Sequence, residues 1–144
     1  MEIKIKKLRE DAILPSRQTP GSAGYDLYSH CPGGILLPPG KPVFIPTGLG
    51  MEIPIGYDLE IRPRSGLSTK NLLLIPNSPG TIDSDYRGEI QVCMVNFSSE
   101  PFHIEHGMRI AQILLRKNLD ISFSIVDTLS TTDRGSGGFG STGR

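Results

Sequence analysis

Residues 109–117 read RIAQILLRK, and whether this stretch is helix or strand decides the class of the fold. Ile110, Ile113 and Leu114 fit the 3.6-residue period of a helix, whereas Ile113 and Leu115 fit the two-residue period of a strand. The surrounding composition decides between them. Glycine (17) and proline (12) together make up about a fifth of the 144 residues, against roughly an eighth in average usage. That density of chain breakers leaves little room for long helices and favours short strands joined by turns. Residues 109–117 are therefore read as a strand in an all-β domain.

Outward from there, the same pattern recurs. Ile3 and Ile5 alternate with Lys4 and Lys6, as in a strand with one wet face. Residues 36–49 carry Pro38, Pro39, Pro42 and Pro46, which suits edge strands and turns. Further strands are expected at 57–61, 72–75, 88–97 and 121–126, with a short one around Tyr25. A single short helix is expected at 65–71, with Ser65 placed to cap it and Gly66 weakening it. No internal repeat is visible, and the length suits one hydrophobic core. Composition shifts once, near residue 130. The last fourteen residues, TTDRGSGGFGSTGR, hold five glycines, no aliphatic side chain and one aromatic, Phe139. Such a segment cannot bury enough apolar surface to offset its ordering entropy. The expected organisation is a body over 1–130 and a flexible Gly-rich C-terminal arm over 131–144.

Charge and composition narrow the function. Fifteen Lys+Arg balance fifteen Asp+Glu, without the basic surplus that a nucleic-acid binder uses to meet phosphates. No apolar run reaches the roughly 20 residues of a membrane helix, and MEIKIKKLRED lacks a signal-peptide core. A cytoplasmic domain contacting neither membrane nor nucleic acid is expected. Cys31 and Cys93 stand alone, outside any metal-ligand spacing. His103 and His106 flank Glu105 in a turn-like stretch and are read as solvated loop residues, not metal ligands.

Five stretches carry chemistry. In the arm, residues 135–140 read GSGGFG, a match to G-x-G-x-x-G. No helix can follow so close to the terminus, so this is no dinucleotide fold, yet glycine amides can still wrap phosphate oxygens beside Arg134 and Arg144. Phe139 gains nothing there unless it stacks on a flat base. In RPRSGLS (62–68), Arg62 and Arg64 share a strand face and Ser65-Gly66 open a helix start, a combination suited to phosphate or simply to a surface pair with a cap. In PGTIDSDYRGEI (79–90), Gly80 and Gly88 bracket Ile82, Asp83, Asp85 and Tyr86. The pattern suggests a β-hairpin that holds a planar ligand, with Asp83 as a general base or as an ordinary turn residue. Asp85 either braces the turn or pairs with Arg87. AGYDLYS (23–29) places Asp26 between Tyr25 and Leu27, and GMRIAQILL (107–115) sets the amide of Gln112 among aliphatics.

In their order and wording, AGYDL, RPRSGLS, PGTIDSDYRGE, GMRIAQIL and RGSGGFGSTG resemble the five motifs of the trimeric deoxyuridine triphosphatases (dUTPases), over residues 23–143. The resemblance implies a jelly-roll-like β-barrel of β-clip type that forms a homotrimer with active sites at subunit interfaces. It also implies Mg2+-dependent hydrolysis of dUTP to dUMP and pyrophosphate, which supplies dUMP for thymidylate synthesis and keeps uracil out of DNA. Asp83 would deprotonate the water that attacks the α-phosphorus, and Asp26 would hold Mg2+ through its water shell. Arg64, Ser65, Gly66 and Gln112 would bind phosphates. The hairpin from Gly80 through Thr81, Ile82 and Asp83 would accept uracil with Asn77 reading its edge, Tyr86 would pack on the deoxyribose, and Gln91 would also bind substrate. From the arm, Phe139 would stack on the base, while Arg134, Ser136, Gly137, Gly140, Ser141 and Thr142 would close on the phosphates. Two details depart from the pattern: Pro79 removes one N–H donor, and the fourth stretch continues as ILLRKN. A deoxycytidine triphosphate deaminase shares the fold, but DSDYRGE and the arm match the dUTPase side. A non-catalytic nucleotide sensor would not need Asp83.

Overall fold

The computed structural model describes residues 1–138; the expected roles of Phe139, Gly140, Ser141 and Thr142 lie outside the described residues. The chain runs through β1 (Lys4–Lys7), β2 (Tyr25–Tyr28), β3 (Ile35–Leu37), β4 (Pro42–Pro46), β5 (Leu49–Glu52) and β6 (Tyr57–Arg62). After the helix α1 (Ser65–Asn71) come β7 (Leu73–Leu74), β8 (Gly80–Ile82), β9 (Gln91–Asn96), β10 (Phe102–Ile104) and β11 (Arg109–Lys117). The fold is mostly β with one short helix and is jelly-roll-like. The strands form four antiparallel sheets: β2-β11-β6-β8, β4-β9-β7, β1-β5 and β3-β10. Among the described residues no sheet closes on itself, so the expected barrel is realised as small sheets around one apolar cluster. Leu27, Leu59, Ile110 and Ile113 bring the four-stranded sheet into that cluster, and Ile45, Val92 and Met94 bring the three-stranded one.

The strand over 109–117 is confirmed, and its ambiguous periodicity has a physical cause. Pairing with β2 shifts register between Arg109 and Ala111. Such a bulge adds a residue to one strand and reverses the alternation of faces across it. Ile110 and Ala111 are both fully buried, and Ile113 is buried beyond them, which mimics helical spacing.

Five expectations are corrected. Residues 121–126 form no strand and are exposed throughout: Phe123 is 90 % exposed and Ile125 fully so. Their two-residue alternation is present, but among the described residues it meets no sheet edge. All four β1 residues are exposed, so Ile5 has no dry side and instead lines an open groove with Ile3, Tyr25 and Leu115. Residues 79–90 are not a hairpin. β8 pairs with β6, while β9 joins another sheet, so residues 83–90 cross between the two. The helix over 65–71 is as expected, but Arg64 occupies the cap position with no side-chain cap bond, and Ser65 is the first helical residue. His103 and His106 are exposed as expected, and His106 lies in a turn, where it packs edge-on against His30 with ring centroids 5.0 Å apart, but His103 sits on β10 and not in a loop.

Candidate functional site

Three of the five stretches meet at one end of the four-stranded sheet. Gln112 on β11 stands opposite Asp26 on β2 and opposite Arg62 on β6, so these residues share one level of the sheet. Just past β6, Arg64 Nε donates to Asp26 Oδ1 at 3.0 Å, and its Nη1 donates to the Arg109 carbonyl at 3.2 Å. Arg109 Nη1 donates to Asp26 Oδ2 at 3.3 Å. The bulge explains this reach: in a regular strand residues 109 and 112 would face opposite ways, and the extra residue turns both toward Asp26. Gln112 Nε2 donates to the Pro63 carbonyl at 3.0 Å, tying β11 to the start of the 64–66 segment.

The arginine pair of the sequence reading is divided between two carboxylates. Arg62 binds Glu60, whose other oxygen receives Arg116 at 2.9 Å, while Arg64 binds Asp26. Two guanidinium groups on the single carboxylate of Asp26, itself only 8 % exposed, leave a positive surplus beside the helix start. The amides of Ser65, Gly66 and Leu67 have no intrahelical acceptor, as in any first turn. A Cβ at Gly66 would meet nothing within 4 Å, so the chain's own packing does not require glycine there. A helical glycine costs about 0.5–1 kcal/mol relative to alanine. Its presence at an open, donor-rich position suits close approach of an anion.

The third stretch flanks this group. Gly80 on β8 stands opposite Ile61 on β6, and a Cβ at Gly80 would lie 3.2 Å from Asn77 Nδ2, so Asn77 and Gly80 are adjacent. The Ser78-Pro79 bond between them is cis. Thr81 is exposed opposite Glu60, and Ile82 packs on the core opposite Leu59. Asp83 is exposed just beyond β8, and its side chain makes no hydrogen bond or ion pair among the described residues; only its carbonyl accepts, from the Tyr86 amide. Tyr86 lies over Gly88, where a Cβ would collide with the phenol oxygen, and its hydroxyl donates to the Glu89 carbonyl at 2.9 Å. Arg87 donates to the carbonyls of Ser84 and Tyr86 and does not pair with Asp85.

Four expected residues stand apart. Gln91 opens β9 opposite Pro46 in the other large sheet. Arg134 and Gly137 are engaged with each other, Arg134 Nε donating to the Gly137 carbonyl at 2.9 Å, with Ser136 between them in sequence. Arg109, in contrast, is a site residue that the sequence reading left unassigned. Its only signal was its place beside Gln112 in a quoted stretch, and an unbulged strand would have turned it away.

A model of the dUTPase family matches residues 10–143. The chain belongs to the dUTPase family. It is 51% identical to the deoxyuridine 5'-triphosphate nucleotidohydrolase of Leptospira interrogans over 144 residues, 99% of each protein. It is 48% identical to that of Nautilia profundicola over the full length of both. Among solved structures, the Staphylococcus bacteriophage 80alpha dUTPase with dUPNHPP superposes with a TM-score of 0.88 at 28% identity, covering 99% of each chain. A mutant dUTPase from phage phi11 of S. aureus, described with a structural Mg(II) ion, has the same fold at 24% identity and a TM-score of 0.79, covering 89% of this chain and 98% of its own.

The donor set constrains how this family member can meet Mg2+. Both Asp26 oxygens already receive guanidinium groups. A bare dication is disfavoured beside two arginines, but an ion carried on a polyphosphate, with Asp26 touching its water shell, suits both charge balance and the reluctance of Mg2+ to dehydrate.

Proposed function

We propose that the chain hydrolyses dUTP to dUMP and pyrophosphate at sites on subunit interfaces, each assembled from the Asp26–Arg64–Gln112 group and the segment that carries Asn77, Gly80 and Asp83. The observation that carries this reading is the convergence of Arg64 and Arg109 on Asp26, with Gln112 opposite Asp26 in register and tied to the Pro63 carbonyl, on the same sheet whose edge strand begins at Gly80 and leads into Asp83. Asp83, free of partners among the described residues, accepts a proton from water as the water oxygen bonds to the α-phosphorus. The bond from that phosphorus to the bridging oxygen breaks, and pyrophosphate leaves. Phosphoryl chemistry of this kind depends on positioning and charge neutralisation more than on covalent help. Arg64 and the amides of Ser65 and Gly66 hold the phosphates and Gln112 contacts them, while Mg2+, which Asp26 would hold through its water shell, would supply further charge neutralisation. Asn77, Gly80, Thr81 and Ile82 bound the uracil, with Tyr86 against the deoxyribose. Gln91 is assigned to the same pocket on resemblance alone.

The active unit is proposed to be a homotrimer. Leu119, Ile121, Phe123 and Ile125 alternate with polar residues and are at least 72 % exposed, an arrangement that calls for a sheet edge outside this chain. The apolar groove beside β1, about 430 Å³, is lined by Ile3, Ile5, Tyr25 and Leu115 and is likewise uncovered. Residues 1–130 form the body, and 131–144 act as an arm that closes over bound nucleotide. No helix among the described residues is long and apolar enough to cross a membrane, and two unpaired cysteines fit the reducing cytoplasm.

Incubation with dUTP or dCTP and Mg2+, assayed for pyrophosphate and ammonia, tests the activity. Pyrophosphate from dUTP alone is expected. Ammonia from dCTP would identify a deaminase, and dUTP binding without pyrophosphate a sensor. Light scattering at micromolar concentration tests the trimer, and a monomer fully active at that concentration would overturn it.

A further inference from the structure

Away from the nucleotide site, three segments distant in sequence meet at Asp11, His30 and His106. Asp11 lies in the turn after β1, His30 just beyond β2, and His106 in the turn that leads into β11. His30 Nε2 is 2.8 Å from Asp11 Oδ1, and His106 Nε2 is 3.4 Å from Asp11 Oδ2. One ligand atom from each residue lies within 4.8 Å of the other two. The His30 side chain is 9 % exposed and its backbone amide donates to the Pro46 carbonyl at 2.7 Å, whereas the Asp11 side chain is 62 % exposed. The group thus has a fixed imidazole as its floor, a second imidazole at its side and a carboxylate open to solvent.

We propose that Asp11, His30 and His106 bind one transition-metal dication of the zinc type through two imidazole nitrogens and one carboxylate oxygen, with water completing the shell. Two nitrogens and one oxygen favour zinc, cobalt or nickel over magnesium, so this site is chemically distinct from any Mg2+ that accompanies the triphosphate.

Ligand bonds of about 2.0–2.2 Å in a tetrahedral shell place donor atoms roughly 3.3 Å apart. The group must therefore contract by up to about 1.5 Å. The exposed Asp11 and the turn-borne His106 can supply that movement while His30 stays in place. The protons also balance. The Cys31 amide donates to His106 Nδ1 at 3.1 Å, so the metal-free ring carries its proton on Nε2, facing Asp11. On metal binding the His106 proton moves from Nε2 to Nδ1 and His106 gives up the contact with the Cys31 amide, while His30, whose Nε2 also faces Asp11, binds with its proton on Nδ1. The His106 side chain is 35 % exposed, so water can replace the Cys31 amide as its partner. The Cys31 thiol points elsewhere, toward the Ile104 carbonyl at 3.8 Å, and is not a ligand.

The test is calorimetric titration of the metal-free full chain, without nucleotide, with zinc chloride and separately with magnesium chloride. Cobalt chloride is used for its visible absorption. Zinc is expected to bind at one equivalent per chain and to raise Tm, whereas magnesium does neither. Asp11→Asn and His106→Asn lie in turns and are chosen to preserve the fold. Each is expected to weaken zinc binding by at least about tenfold, while His103→Asn leaves it unchanged and both ligand variants hydrolyse dUTP with Mg2+ as the parent does. Zinc binding weaker than about 1 mM, or binding that Asp11→Asn and His106→Asn leave intact, would overturn the proposal and leave the three residues as a hydrogen-bonded clasp.

Discussion

Gln112 occupies the space that any side chain at Gly24 would need: a Cβ at residue 24 would collide with Gln112 Oε1 and lie 3.2 Å from its Cβ. The first and fourth motifs are thereby interlocked, because the missing side chain of one admits the amide of the other. Gly24→Ala is expected to displace Gln112 from the Pro63 carbonyl and raise the KM for dUTP roughly tenfold, the value of one hydrogen bond to a charged group. Overpacking adds a loss of about 1–3 kcal/mol of stability. Steady-state kinetics beside thermal melts check both, and an unchanged KM would remove Gln112 from the phosphate site.

Asp83→Asn preserves shape while abolishing the proton acceptor. We expect dUTP affinity to be retained and kcat to fall by about 10²–10⁴-fold. Equilibrium binding paired with single-turnover assays separates the two effects, and turnover near the parent value would exclude Asp83 as the base.

Gly66→Ala is expected to act in opposite directions on stability and on binding. Since a Cβ there meets nothing, the helix gains about 0.5–1 kcal/mol, while phosphate approach is obstructed. A higher Tm together with a higher KM is the expected pair. A higher Tm with KM unchanged would show that no ligand comes close to this glycine.

Removal of residues 131–144 is expected to leave the melting transition within about 2 °C of the parent. Within 131–138 the hydrogen bonds run inside the segment, from Gly135 to Thr132 and from Gly137 to Arg134. Turnover is expected to fall by at least about 10²-fold through loss of phosphate donors. Loss of cooperative melting would instead make the arm structural.

Burial pushes the Cys93 thiol up from its ordinary value. A raised pKa means less thiolate at neutral pH, so alkylation by iodoacetamide at pH 7 should be slower than for a free cysteine and should climb through a higher pH. Mass spectrometry of timed samples measures this. A rate at pH 7 equal to that of a model thiol would contradict it.

Much of the architecture was legible because strands and turns leave local marks. The alternation and Pro/Gly punctuation located most of the strands, and RPRSGLS located the helix. The misreadings share one cause: local pattern does not name a partner. Residues 121–126 have a strand's alternation without an edge in their own chain, and residues 79–90 resemble a hairpin although β8 pairs backward with β6. At the site, Asp26, Arg64, Gly80, Asp83 and Gln112 could each be named from their stretches. Arg109 could not, because a bulge rather than its residue type turns it toward Asp26.

By itself the sequence determined the β class, the single short helix, the five motifs and hence the family, since backbone preference and motif wording are properties of neighbouring residues. Tertiary structure alone decided which carboxylate each arginine serves, that Gly24 makes room for Gln112, and that Asp11 meets two histidines from distant turns. Those relations depend on strand register and on where the chain returns, and contacts between residues far apart in sequence leave no periodic trace along it.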